Sequence, residues 1–182
     1  MSRYIAFLRA INVGGHTVTM DRLRALFTSL GFTRVETFIA SGNVIFDTPS
    51  RSPAKLESNI EQHLQLALGY EVRTFLRTPA EVAAADARTP FGPAAALEAG
   101  AALSIGFLKA PLADSVLQKV LALQTEIDDF HVSARELYWL RHRALGESKI
   151  TGAQLEKALG GPTTLRNVTT VRKLRAKYHN TA

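Results

Sequence analysis

The chain has 182 residues, 46% of them hydrophobic, and no cysteine. This composition excludes a wholly disordered chain, a disulfide framework and any thiolate metal site or nucleophile. No apolar stretch is long enough for a signal peptide or a membrane span, so we expect a cytoplasmic protein without a membrane partner. The net charge of +6 is concentrated at the C-terminal end, where residues 157–182 contain no acid and carry Lys157, Arg166, Arg172, Lys173, Arg175 and Lys177.

The first half of the sequence predicts the order strand, helix, strand, strand, helix, strand. Apolar residues recur at helical spacing after Thr19, a plausible N-cap, and Pro53 follows Ser52 where a second helix begins. This order is that of the ferredoxin-like, or split βαβ, unit. The predicted strands lie at residues 4–11, 35–40, 44–47 and 71–77, and the helices at residues 20–30 and 52–69.

The pattern then restarts, because residues 105–110 repeat the residue classes of residues 5–10. The alternative is chance, since short apolar strands resemble one another. We predict an α+β fold of two ferredoxin-like (split βαβ) halves related by a diverged internal repeat, with domains at residues 1–88 and 89–182. The second half has predicted strands at residues 105–110, 130–132 and 137–140, helices at 114–123 and 152–159, and a basic C-terminal helix at 168–178 that replaces the final strand.

The loop after the first strand is the first candidate site. Gly14 and Gly15 permit positive φ and a close approach of a ligand to backbone N–H groups. Arg9 lies near the end of the strand that precedes the loop, and Asn12 adds a polar side chain. The loop is therefore either an anion cradle closed by Arg9 or a glycine turn in which Arg9 pairs with a neighbouring carboxylate.

Two further segments are candidates. Ser41 and Asn43 flank a glycine in a predicted hairpin turn, and the turn alone accounts for them unless they also contact a ligand. Arg166 and Asn167 precede the last helix, whose free N–H groups favour an anion. The alternative there is an ordinary Asn167 N-cap beside an exposed Arg166.

Neither a metal nor a cofactor is expected from the sequence. The histidines are scattered and form no metal-binding motif, and Asp128 and Asp129 are adjacent in a predicted turn, where they project differently. No general base lies near Ser41 in sequence, so the catalytic residues, if any, are unknown. The five histidines are His16, His63, His131, His142 and His179.

These motifs in this order resemble a bacterial family known as domain of unknown function 1697. The resemblance rests on residues 9–15, 20–24, 39–46 and 163–167 with 170–171, and so spans nearly the whole chain. It implies a two-part α+β protein and no established activity. Many members have a glycine at the position of Ala10, and the loop after the double glycine often contains a lysine, where this chain has His16 and Thr17.

Three functions are compatible with the sequence. The first is binding of a small phosphorylated or carboxylated ligand, by an enzyme or by a binding protein, with Arg9 and Arg166 both contacting the anion. The second is nucleic-acid binding through the basic C-terminal helix. The third is a dimeric interaction protein without catalysis, so the chain is expected to be a monomer or a homodimer. The expected ligand-binding residues are Arg9, Asn12, Gly14, Gly15, Ser41, Asn43, Arg166 and Asn167.

Overall fold

The protein is a mixed α+β chain. The structure is a computed structural model that describes residues 1–12, 14–39, 42–92 and 100–178. Over these residues the chain forms eight β-strands and six α-helices, and the strands make two four-stranded antiparallel sheets. The chain divides into two compact units, Met1–Val82 and Ala83–Ala182. The predicted α+β class is therefore confirmed.

The N-terminal unit contains one sheet with the strand order β2-β3-β1-β4. Thr19 accepts a hydrogen bond from the Arg22 amide at the start of α1, and Gly69 ends α2 in the left-handed conformation, as the sequence predicts. Ser52 precedes α2 but makes no side-chain cap bond. The elements are β1 (Ser2–Arg9), α1 (Met20–Ser29), β2 (Thr33–Thr37), β3 (Asn43–Thr48), α2 (Pro53–Leu68) and β4 (Arg73–Arg77), and α3 (Pro79–Ala87) follows.

Helices α1 and α2 cover one face of this sheet. The helical repeat places Leu23 and Phe27 of α1 and Ile60 of α2 in one core cluster with Ala6 and Leu8 of β1. Because side chains alternate along a strand, residues 5 and 7 point to the other face, and they are also fully buried. The central strand therefore has no polar face, which explains its nearly continuous apolar sequence.

The C-terminal unit contains the second sheet, with the strand order β6-β7-β5-β8. Its core cluster joins Val120 of α4, Trp139 of β7 and Leu155 of α5, while α6 packs against β5 and β8. Within the described residues, no helix combines the length and hydropathy required to cross a membrane. The elements are β5 (Ala101–Phe107), α4 (Asp114–Leu121), β6 (Asp128–Ser133), β7 (Glu136–His142), α5 (Gly152–Leu159), β8 (Thr164–Asn167) and α6 (Val168–Tyr178).

The prediction that a helix replaces the final strand is wrong. Residues 164–167 form β8, which pairs antiparallel with β5 so that Arg166 lies opposite Ile105. The Thr163 hydroxyl donates to the carbonyl of Phe107 at 3.0 Å and fixes this edge of the sheet. Thr, Arg and Asn suit the start of a helix, but here a four-residue strand runs directly into α6 with no loop between them.

Strand β2 lies earlier than predicted, at residues 33–37 instead of 35–40. Its register with β3 shifts between Thr33 and Glu36, at a bulge where Arg34 has a φ of 48°. Ile39 has a φ of 59°, which ends the extended backbone before the turn. The local composition favours a strand throughout this stretch, so the sequence alone does not reveal the bulge.

Candidate functional site

The predicted site residues lie in both units. In the N-terminal unit Arg9 ends β1, Asn43 begins β3, and Asn12, Gly14 and Gly15 lie in the loop that follows β1. We call residues 10–12 and 14–18 the glycine loop. Arg166 and Asn167 belong to β8 of the C-terminal unit. Ser41 lies outside the described residues.

The glycine loop is braced against the unit on which it sits. The Asn12 side-chain oxygen accepts a hydrogen bond from the Val18 amide at 2.7 Å and closes the loop from within. The Tyr70 hydroxyl donates to the Ile11 carbonyl at 2.7 Å, and the His16 ring stacks on the Tyr70 ring with a centroid separation of 3.9 Å. Ile11 and Val18 are buried and anchor the two ends. The loop conformation is thus fixed from several directions.

The exposed part of the loop presents backbone to solvent. Gly14 and Gly15 have φ values of 63° and 85°, and apart from their chain neighbours no described residue has a heavy atom within 4 Å of the position that a Cβ would take at either glycine. Neither amide donates a hydrogen bond to another residue in the described ranges. Ala10 has a φ of 62° although it is not a glycine, which costs roughly 1 kcal/mol of backbone strain. Because glycine has no side chain, an anion can approach this backbone closely and accept hydrogen bonds from its N–H groups.

The start of β3 packs beneath this loop. A Cβ on Gly42 would lie 2.7 Å from the Ile11 Cγ2 atom, and the Gly42 carbonyl accepts from the Leu8 amide at 2.8 Å. Asn43 is buried, and its side-chain amide donates to the Phe38 carbonyl at 3.0 Å. Asn43 therefore holds the β2–β3 hairpin together directly below the glycine loop, a role that the sequence does not distinguish from ligand contact.

Two basic residues lie opposite each other where β1 ends and β4 begins. Arg9 lies directly opposite Arg73 in the β1–β4 register, so both guanidinium groups leave the same face of the sheet. Arg73 forms ion pairs with Glu71 at 2.7 Å and with Glu61 at 3.5 Å. The two glutamates offset part of the positive charge, and Arg9 adds a further cation at the strand end that feeds the loop.

The candidate residues of the C-terminal unit are packed differently. Arg166 is buried, and its guanidinium donates to the Thr164 hydroxyl at 2.7 Å and to the Leu165 carbonyl at 3.0 Å. Burial lowers the pKa of Arg166 to about 10, so the side chain stays charged at neutral pH. The Asn167 side-chain oxygen accepts from the Thr169 amide at 2.8 Å, which confirms the predicted N-cap of α6.

The basic face of α6 is partly neutralised. Arg175 donates to Asp86 at 2.9 Å, and Arg172 approaches the same carboxylate at 3.4 Å. The Asp86 side chain is only 4% exposed, whereas Lys173 and Lys177 are exposed on the helix. Two of the four basic residues on this face therefore have an acidic partner within the same unit.

Comparison with known proteins identifies the family. The family described as Protein of unknown function (DUF1697) matches residues 1–138, a stretch that includes the glycine loop. The chain belongs to the DUF1697 family. No curated protein matches it.

One solved structure supports the fold of this DUF1697 chain. It is that of the conserved bacterial protein SP0830 from Streptococcus pneumoniae, which is 24% identical in sequence and superimposes with a TM-score of 0.74. The match covers 99% of each chain. At this level of identity the similarity establishes the shared architecture.

Sequence reasoning missed two features of the site regions. Tyr70, which supports the glycine loop through both its hydroxyl and its ring, stands one residue after the helix-ending Gly69 and carries no local signal of that role. The sequence predicts a turn at Asp128, but this residue begins β6 and is buried. The Trp139 indole donates a hydrogen bond to its carboxylate at 2.8 Å. Within the described residues, no three His, Asp or Glu side chains are grouped to hold a metal ion.

Proposed function

We propose that this DUF1697 protein binds a small anionic ligand, phosphorylated or carboxylated, on the glycine loop. The observation that carries the proposal is the pair of exposed residues Gly14 and Gly15 in a braced loop, whose amides donate no hydrogen bond within the described residues. Successive backbone N–H groups in a turn form a concavity for an anion, and a fixed loop binds without loss of conformational entropy.

Arg9 supplies the charged partner in this proposal. Arg9 ends β1 and directly precedes the loop in sequence, and a guanidinium group binds phosphate or carboxylate through two parallel hydrogen bonds. Asn12 closes the loop through Val18, so its role is to position the amides. A contribution of Ser41, Arg166 or Asn167 to the same ligand stays a prediction from the sequence. The proposal concerns binding and names no reaction.

An NMR titration tests the loop directly. Pyrophosphate added to the 15N-labelled protein should shift the amide signals of Gly14 and Gly15 in a saturable way, because these donors would form its hydrogen bonds. Arg9→Gln should weaken the binding about tenfold, which corresponds to the loss of one charge-assisted hydrogen bond. Arg22→Gln is the matched control, since Arg22 is an exposed cation on α1 of the same unit and should leave the affinity unchanged.

Two outcomes contradict the proposal. One is that neither pyrophosphate nor citrate, which supplies carboxylates in a parallel titration, shifts the amide signals of Gly14 and Gly15. The other is that Arg9→Gln and Arg22→Gln weaken binding equally, which is the signature of diffuse attraction to a basic protein.

A second candidate function is binding of nucleic acid by α6. The observation that favours it is the exposure of Arg172, Lys173, Arg175 and Lys177 along one helix. Because Asp86 pairs with both arginines, we expect weak binding with a shallow salt dependence. For each phosphate that the helix neutralises, log K should fall by about 0.9 per tenfold increase in salt concentration. Affinity for a generic duplex, measured by anisotropy at several salt concentrations, gives that slope. No binding at low salt excludes this function, and Asp86→Asn should increase the affinity.

The fold of the two units also supports a more specific assignment. We infer that they are ferredoxin-like halves related by a diverged internal repeat. Both follow the order strand, helix, strand, strand, helix, strand, and their strand orders correspond position by position. Ile5 and Phe7 of β1 have counterparts in Ile105 and Phe107 of β5, and all four are buried.

A further inference from the structure

The C-terminal unit contains a cavity that none of the sequence motifs marks. Its volume is about 330 Å³, and it lies between the start of β6 and the segment that leads from β7 to α5. This volume is at the lower end of the range for small-molecule sites, which is roughly 300 to 1,000 Å³. All of its lining residues fall within residues 125–150, so it is independent of the glycine loop and of the function proposed above.

A buried carboxylate lines this cavity. Asp128 is 1% exposed, and its two oxygens accept hydrogen bonds from the Trp139 indole at 2.8 Å and the Thr125 hydroxyl at 3.0 Å. The Thr125 oxygen itself accepts from the amides of Ile127 and Asp128, so its hydroxyl hydrogen is left for the carboxylate. Both donors to Asp128 are therefore neutral and fixed in direction.

The charge of Asp128 is incompletely balanced. Within the described residues no basic side chain lies within 4 Å of its oxygens. Arg141 is its cross-strand neighbour and attracts it electrostatically, but the Arg141 guanidinium lies 4.8 Å above the Trp139 ring and donates to the Ser104 hydroxyl. A buried carboxylate without a contacting cation is unfavourable, because two neutral hydrogen bonds replace only part of its hydration. A carboxylate has about four acceptor positions, and the two hydrogen bonds from Trp139 and Thr125 occupy two of them.

The rest of the lining defines what would fit. Glu126 and Glu147 stand exposed at the rim, and Lys149 is the one basic residue in the lining, so the lining has more acidic than basic side chains. Ile127, Ile150 and Leu145 supply apolar walls, and Leu145 is 65% exposed despite its size. A ligand with an ammonium head and a short hydrocarbon body would satisfy the carboxylate and cover these apolar side chains at the same time.

We propose that this cavity binds a small organic cation, a primary ammonium on a short apolar chain. Asp128 is its counter-ion at the floor, with Glu126 and Glu147 adding attraction at the rim. Trp139 and Thr125 hold the Asp128 carboxylate in place through neutral donors, which orients it without cancelling its charge.

The single tryptophan makes the test specific. Trp139 is the one tryptophan of the sequence, so its indole N–H gives a single assignable NMR signal, and that N–H donates to Asp128. Titration of the full chain with n-butylammonium chloride should shift this signal in a saturable way. The same concentrations of 1-butanol or sodium chloride should shift it at least about tenfold less, because they lack the ammonium donors or the apolar chain.

Matched variants assign the effect to one carboxylate. Asp128→Asn keeps the shape of the side chain and removes its charge, and it should weaken n-butylammonium binding at least about tenfold. Asp129→Asn is the control, since Asp129 contacts His142 and does not line the cavity. The Asp129→Asn variant should bind n-butylammonium with the affinity of the unsubstituted protein. Glu126→Lys changes an exposed rim residue, so it leaves the fold intact and should weaken binding severalfold even if Asp128→Asn fails to fold.

The proposal is overturned if the indole signal does not respond to n-butylammonium, which is the result expected when the cavity holds water alone. It is equally overturned if 1-butanol produces the same shift, or if Glu126→Lys binds n-butylammonium as tightly as the unsubstituted protein.

Discussion

Replacement of Gly42 by alanine is expected to destabilise the N-terminal unit by about 3 kcal/mol. The residue has a φ of 73°, where an alanine is strained by roughly 1 kcal/mol. The new methyl group would also lie 2.7 Å from the Ile11 Cγ2 atom and 3.2 Å from the Leu8 Cβ atom. Both contacts belong to the buried base of the glycine loop, and overpacking of this kind costs about 1 to 3 kcal/mol. Urea unfolding followed by circular dichroism measures the loss.

Gly31→Ala separates the two contributions. Gly31 has a φ of 81°, but nothing lies within 4 Å of the position that its Cβ would take. Its substitution should therefore cost only the backbone strain of about 1 kcal/mol. Equal effects at the two positions would show that the packing of Gly42 under Ile11 contributes nothing. In Gly42→Ala we further expect altered amide signals at Gly14 and Gly15, because the loop must shift with Ile11, and Gly31→Ala should leave them in place.

The helices of the N-terminal unit are predictable because their signals are local. Thr19, three residues before the Arg22 amide that it caps, and Gly69 at the end of α2 act through their immediate neighbours, whatever the rest of the chain does. Strands depend on partners that are distant in sequence. Residues 164–167 become β8 only because β5 offers a free edge to pair with, and the threonine and asparagine side chains equally suit a helix start.

The candidate sites show the same division. The double glycine and the neighbouring Arg9 can be read from the sequence, because glycine marks backbone that must adopt positive φ. The support that makes the loop rigid cannot be read in this way, because the Tyr70 hydroxyl reaches Ile11 across 59 positions of sequence. Asp128 carries even less local signal. Its burial depends on Trp139, which the β6–β7 hairpin brings within hydrogen-bonding distance.

The largest electrostatic effect in the N-terminal unit is expected at Asp47. This carboxylate is 1% exposed in β3 and pairs with Arg3 at 2.8 Å and with Arg34, whose bulged backbone carries the guanidinium to it. Asp47→Asn would remove the buried charge that pairs with Arg3, whose side chain is only 13% exposed. Breaking a pair of this burial costs about 3 kcal/mol, which urea unfolding at neutral pH would detect. The exposed Asp21, paired with Arg24, is the control, and Asp21→Asn should cost less than about 0.5 kcal/mol.

The same pair predicts how stability depends on pH. Burial acts to raise the pKa of Asp47, but the hydrogen bonds and charges of Arg3 and Arg34 outweigh it, and the pKa is lowered. Because the unfolded chain has the higher pKa, about 3.9, it binds the proton first. The stabilisation is therefore fully present above that value and is lost as the pH falls through the folded-state pKa. The stability difference between the unsubstituted protein and Asp47→Asn should accordingly be constant from about pH 7 to about pH 5 and shrink below about pH 4. A difference that grew on acidification would mean that the burial of Asp47, and not its two arginines, controls its proton affinity.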